Sequence, residues 1–167
     1  DIDPETECIL FEASSMQRGQ SIHVYDHKNQ RIIDLVNEFP KKDIDKIETK
    51  VIPVKANDNS GDIFECILHK CPAKLTSFDK DPVLLLYMHG GPHSMNSVGF
   101  SKAILLFLYF GISVVHVNYR GSIGMGNNFG RKLSGNIGSM DVKDCIHGYD
   151  SIIKTEFNNI PVKQIVI

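Results

Sequence analysis

The sequence lacks any apolar run near the ~20 residues that a membrane-spanning helix needs. The longest candidate, Ala103 to Gly111, is too short and closes on glycine. Charge of one sign is not in excess: 18 Lys+Arg stand against 20 Asp+Glu, a net of −2. That balance excludes a strongly basic nucleic-acid binder. No Asn-x-Ser/Thr sequon occurs, and the first four residues carry the acidic Asp1 and Asp3 where a secretory signal would be basic. These absences predict a reducing, cytoplasmic location. The first residue is Asp rather than Met, which points to a processed chain or a piece of a longer one.

Cysteine is scarce and scattered. Cys8, Cys66, Cys71 and Cys145 do not make a disulfide framework in a chain of 167 residues. Cys66 and Cys71 flank His69, which invites a zinc reading. A zinc cluster needs two further ligands at matching spacing, and none follows. The thiols are read as buried or free.

What is present suits one domain, or one domain with part of another. Hydrophobic residues make up 42% of the 167 in this 18.7 kDa chain, enough for a packed core. There is no internal repeat and no low-complexity tract. Glu7 to Glu12, Ser21 to Asp26 and Arg31 to Val36 read as short strands, with turns over Ala13 to Gln20 and Tyr25 to Gln30. This is antiparallel material that cannot stand alone. Lys41 to Lys50 is charge-rich, follows Pro40, and reads as a boundary.

Beyond about Ile47 the pattern changes. Lys50 to Lys55 and Asp62 to Lys70 read as a strand pair around Asn57 to Gly61. Val83 to Met88 is a continuous apolar run, as in a strand buried on both faces of a parallel sheet. Phe100 to Phe110 is helix-length and closed by Gly111. Ile112 to Tyr119 is a second buried strand, rich in β-branched residues. Asp141 to Phe157 sets Val142, Cys145, Ile146, Tyr149, Ile152 and Ile153 on one helical stripe, with Ser139 or Asp141 as cap. Gln164 to Ile167 opens a third buried strand. Alternating strands and helices predict an α/β sheet.

Two loops could carry chemistry. His89-Gly90-Gly91-Pro92-His93 directly follows the first buried strand. In open α/β sheets ligands bind beyond the carboxyl ends of strands. The two glycines let the backbone turn sharply with amides outward, and Pro92 fixes the next φ. A His-Gly-Gly loop in this place supplies an oxyanion-hole donor in α/β-hydrolases. The second loop, Asn118 to Gly126, follows the second buried strand. No Gly-Lys-Ser/Thr follows it, so it is no P-loop. It is no dinucleotide fingerprint either, because the third glycine after Gly124 and Gly126 falls at Gly130, one position late. Its glycines are read as packing residues. Arg120 is open to two readings, a carboxylate partner near the site or a loop anchor.

These loops carry a resemblance. His89 to Ser94 (HGGPHS), Val117 to Gly126 (VNYRGSIGMG) and Gly135 to Asp144 (GNIGSMDVKD) resemble the start of the catalytic domain in the prolyl oligopeptidase family of serine peptidases, its acylaminoacyl-peptidase branch foremost. Lys50 to Lys80 is similar more loosely. The resemblance implies the N-terminal part of an α/β-hydrolase sheet over residues 47–167. It implies that residues 1–46 are the last antiparallel strands of a preceding β-propeller and a linker. It further implies release of an N-acylated amino acid from a blocked peptide by acyl transfer, without metal or organic cofactor. The partner would be the N-acylated peptide, with neither nucleic acid nor membrane; homo-oligomerisation of the full-length protein stays open. Gly91 matches the position whose backbone N–H joins the oxyanion hole. His89, Gly90, Pro92 and His93 match residues that shape the loop, and Arg120 matches a motif with a mainly structural role. Dipeptidyl-peptidase and oligopeptidase relatives, or a noncatalytic binding piece, remain alternatives.

The nucleophile, acid and base of such an enzyme are not found. An α/β-hydrolase places its serine in G-x-S-x-G. No serine here lies in that motif; Ser113 follows Gly111 at the right offset, but Val115 stands where the second glycine belongs. His116, within a strand, and His147, on a helix, read as structural. The chain alone is therefore expected to be inactive.

Overall fold

A computed structural model of the chain describes residues 2–3, 7–17, 19–37, 46–72, 82–91, 93–158, 160 and 162–166. The chain divides into two compact units: Asp1–Ile47 with Val98–Lys102, and Glu48–Ser97 with Ala103–Ile167.

The first unit is a four-stranded antiparallel sheet in chain order: β1 (Ile2–Asp3), β2 (Cys8–Ser15), β3 (Gly19–Asp26) and β4 (Arg31–Asn37). The turn between β2 and β3 is tighter than the sequence predicts. Pairing continues to Ser15↔Gly19, with Gly19 at φ +70°, a region glycine enters freely. The β3–β4 turn is built by Asp26, whose carboxylate accepts from the Asn29 backbone N–H (3.0 Å), the Asn29 amide (2.8 Å) and Arg31 Nε (3.2 Å). The Asn29 bonds hold that carboxyl below its ordinary range. A register shift lies between Ile22 and His23. Most of Lys41 to Lys50, the boundary read from the sequence, lies outside the described residues.

The second unit is a five-stranded sheet with helices. Its strands are β5 (Glu48–Lys55), β6 (Ile63–Lys70), β7 (Val83–Leu86), β8 (Ile112–Asn118) and β9 (Lys163–Val166), in the order β5-β6-β8-β7-β9. β7 is parallel to both β8 and β9, while β5–β6 and β6–β8 pair antiparallel. The helices are α1 (Lys102–Tyr109), α2 (Asn127–Arg131) and α3 (Met140–Glu156). No helix among the described residues is long and apolar enough to cross a membrane.

The core follows the pleat, in which alternate residues face opposite sides. Phe64, Cys66 and Leu68 of β6, Leu84 and Leu86 of β7, and Val115 and Val117 of β8 form one cluster with Cys145, Tyr149 and Ile152 of α3. Each such side chain contributes roughly 1.5–3 kcal/mol when fully buried. Gly148 lets α3 approach closely: a Cβ there would meet Cys66 Sγ at 2.8 Å and Phe64 at 3.1 Å. Tyr149 donates its hydroxyl to the Leu84 carbonyl at 2.8 Å, pinning helix to strand. Burial pushes the Cys66 and Cys145 thiols up to about 12, so both stay protonated.

Three expectations are corrected. The last strand is not covered by the described residues: among them β9 pairs with β7, and Ile165 and Val166 are exposed. The stripe of α3 is rotated from the predicted one. Val142 and Ile146 face solvent, whereas Asp144, Cys145, Gly148, Tyr149 and Ile152 face inward. The rotation follows from the buried Asp144 and from the close approach at Gly148. Ser139 stands at the cap of α3 but forms no side-chain cap bond; Asp141 accepts instead from the N–H groups of Gly138 and Val142. The short helix α2, between Gly126 and Lys132, has no counterpart in the sequence reading.

Candidate functional site: two loops at the carboxyl ends of parallel strands

β7 and β8 run parallel, so both their following loops emerge at the same sheet end. The first passes through His89, Gly90, Gly91 and His93. Pro92 lies outside the described residues. Gly91 is exposed at φ +57°, and a Cβ built on Gly90 or Gly91 meets no atom within 4 Å. Among the described residues the Gly91 N–H has no hydrogen-bond acceptor. The glycine here therefore serves backbone shape and open space, since nothing crowds it.

His89 is held rather than free. Its ring stacks on Tyr119, centroids 4.5 Å apart and planes 16° from parallel. Its Nε2 lies 3.0 Å from Ser122 Oγ, and the Tyr119 hydroxyl donates to the His89 carbonyl at 3.2 Å. Burial lowers its pKa, which favours the neutral ring. Two further ties join the loops. The Asn118 side chain accepts from the Asn96 N–H at 2.9 Å and donates to the Asn96 carbonyl at 3.0 Å. The Ile123 N–H donates to the Ser94 carbonyl at 3.1 Å.

The second loop is buried where the first is open. Arg120 is 4% exposed. Its Nε and one terminal nitrogen meet Asp144 side-on at 2.8 and 2.7 Å. The other terminal nitrogen reaches Asp58 Oδ2 at 2.7 Å, Ser60 Oγ at 3.3 Å and Asp62 Oδ2 at 3.4 Å. These carboxylates, Asp144 foremost, raise its pKa, so its charge is permanent. The guanidinium thus ties α3 and the β5–β6 turn to the end of β8. Gly121 follows at φ +116°, where a Cβ would stand 2.6 Å from that of Leu133.

The pairing of Arg120 with Asp144 was not legible. The two lie 24 residues apart, and no local spacing links them. Asn118 and Tyr119 fall within the Val117–Gly126 stretch, and an Asn closing a β-branched run is a usable signal for such a tie. His116 donates Nδ1–H to the Tyr87 carbonyl at 3.0 Å, and His147 Nε2 donates to the Lys55 carbonyl at 3.0 Å. Both rings serve the backbone. Cys66, His69 and Cys71 do not converge: Cys66 faces α3, His69 bonds Thr49 Oγ1, and Cys71 Sγ meets the Leu108 carbonyl.

Between the loops lies a pocket of about 310 Å³, lined by His93, Ile123, Gly124, Gly126, Asn127, Gly130 and Arg131. Outward amides beside a pocket can hold a substrate carbonyl and stabilise an oxyanion.

Residues 98–161 match the prolyl oligopeptidase family. The acylamino-acid-releasing enzyme of Arabidopsis thaliana is 33% identical over 118 residues, 66% of this chain and 15% of that protein. A Mycobacterium tuberculosis puromycin-hydrolyzing peptidase superposes with a TM-score of 0.77 at 18% identity, over 95% of this chain and 24% of its own. A Pyrococcus horikoshii acylaminoacyl peptidase superposes at 0.72 and 19% identity, over 90% and 23%. The chain is related to the prolyl oligopeptidase family of serine peptidases, acylamino-acid-releasing enzymes among them. Its mixed α/β architecture is similar to the acylaminoacyl peptidase fold. It spans about 15% of the length of the Arabidopsis relative.

Proposed function

We propose that this chain forms the oxyanion-loop side of a serine peptidase that releases an N-acylated amino acid from a blocked peptide. The observation that carries the reading is Gly91. It follows a buried parallel strand, takes a positive φ, faces open space, and has an N–H that donates to no described residue. Such a donor stabilises the charge that develops on a tetrahedral intermediate. His89 and Asn118 position it by fixing the loop to its neighbour.

The remaining assignments belong to the same proposal. Residues 47–167 are the first part of the hydrolase domain. Residues 1–46 are the end of a β-propeller; the four-stranded antiparallel order of β1–β4 supports this, since propeller blades have four strands. Nucleophile, acid and base come from sequence other than these 167 residues, which hold no G-x-S-x-G. The chain acts in the cytoplasm on peptides, without a cofactor.

The test uses the full-length protein. A fluorophosphonate probe should label it, and acetyl-alanyl p-nitroanilide should be hydrolysed. Gly91→Pro, which removes the N–H and also the positive φ, should lower kcat about 100-fold or more, whereas Gly91→Ala, which keeps the N–H, should lower it far less. Unchanged turnover in Gly91→Pro, with its melting curve intact, would overturn the assignment. The 167-residue chain alone should show no turnover above buffer.

A further inference from the structure

We infer that the pocket between the two loops is a carboxylate subsite, with Arg131 as its specificity-determining cation. The inference rests on the peptidase reading above and adds the chemistry of one substrate group.

The pocket is lined by Arg131 and by no Asp or Glu. That is unusual in its surroundings, because the neighbouring cations are neutralised. Arg120 is paired with Asp144, Asp58 and Asp62, and Lys132 with Asp62. Arg131 is exposed and joins no ion pair among the described residues. A fixed positive charge therefore faces an open pocket in a chain whose net charge is −2. The other lining groups suit the same ligand. His93 and Asn127 offer ring and amide donors, and Gly124, Gly126 and Gly130 leave backbone uncovered. The Met95 thioether packs against Gly124, where a Cβ would come within 2.8 Å of Sδ.

Size and place narrow the ligand. About 310 Å³ is at the small end for ligand pockets and suits one residue of a peptide. His93 lies two positions from Gly91, so the bound residue neighbours the reacting carbonyl. Its carboxylate comes from an acidic side chain or from the free C-terminus of a short peptide. A guanidinium meets either in a bidentate fork that an ammonium cannot reproduce.

The experiment compares Arg131→Gln and Arg131→Lys with the unaltered full-length protein. Two matched substrate pairs are used: acetyl-Ala-Asp-amide with acetyl-Ala-Asn-amide, and acetyl-Ala-Ala with acetyl-Ala-Ala-amide. In Arg131→Gln, KM for the carboxylate member of one pair should rise about tenfold. Its kcat and the neutral members should stay within about twofold, and Arg131→Lys should recover part of the loss. The pair that responds identifies the carboxylate. Equal changes in charged and neutral members, or none, would overturn the subsite. Fluorophosphonate labelling reports separately on the peptidase reading. If labelling and turnover both fail, anisotropy of a fluorescein-labelled acetyl-Ala-Asp peptide decides. Binding that Arg131→Gln weakens about tenfold keeps the subsite, and equal binding removes it.

Discussion

The two loops at the carboxyl ends of β7 and β8 use glycine for opposite reasons. At Gly91 a methyl group would touch nothing, whereas at Gly121 it would run into Leu133. One glycine leaves room for something outside the chain; the other lets the chain close on itself. Charge divides the same way. Arg120 is buried among three aspartates, and Arg131, eleven positions later, faces an open pocket. Residue type alone does not separate function from packing; what surrounds the residue does.

Substitutions can break this contrast. Arg120→Met should have the largest effect, about 3–5 kcal/mol of lost stability, because it strands the Asp144 carboxylate in the interior. Urea unfolding of the full-length protein would measure it, and a loss below about 1 kcal/mol would mean the network is dispensable. Acid should come next, since it attacks the sheet beneath both loops. His69 and His116 are buried with rings 5.6 Å apart, and His116 holds the Tyr87 carbonyl that leads into the first loop. Burial first, then the neighbouring His116, push His69 down to about 4. The folded state keeps this ring neutral, while the unfolded chain protonates it near pH 6.5. Its contribution is full above that pH and is lost as pH falls toward 4, by up to about 3 kcal/mol. Urea midpoints at pH 7, 5.5 and 4.5 should show the loss, with a smaller slope in His69→Gln. An identical slope would remove His69 from the account.

Gly121→Ala should cost about 2–3 kcal/mol, combining the clash with Leu133 and the left-handed φ. Gly91→Ala should cost only about 1 kcal/mol, from φ alone. Thermal melts of the pair sharpen the comparison directly. Equal losses would mean that the first loop is packed after all.

Much of the second unit was legible because its signals are local. The β-branched run Ile112–Asn118 and the apolar run at Val83 became neighbouring buried strands, and Gly111 ends α1 at φ +79°. The loop at His89 was legible as a motif following a strand. The face of α3 was not. Val142 and Ile146 fit an apolar stripe, yet the sheet selected Asp144 and Gly148 instead. That choice depends on a partner 24 residues away and on the width left beside Cys66 and Phe64.

The sequence by itself determined where strands and helices lie, that two glycine-bearing loops follow strands, and that no serine elbow is present. Hydrophobic period and backbone freedom are properties of neighbouring residues, so a linear reading reaches them. Only the tertiary structure decided that Arg120 is sealed by Asp144, that Arg131 is left facing a pocket, and that Gly91 is open while Gly121 is crowded. Burial, charge pairing and close approach are relations between segments far apart in the chain, and they exist only once the sheet has brought those segments together.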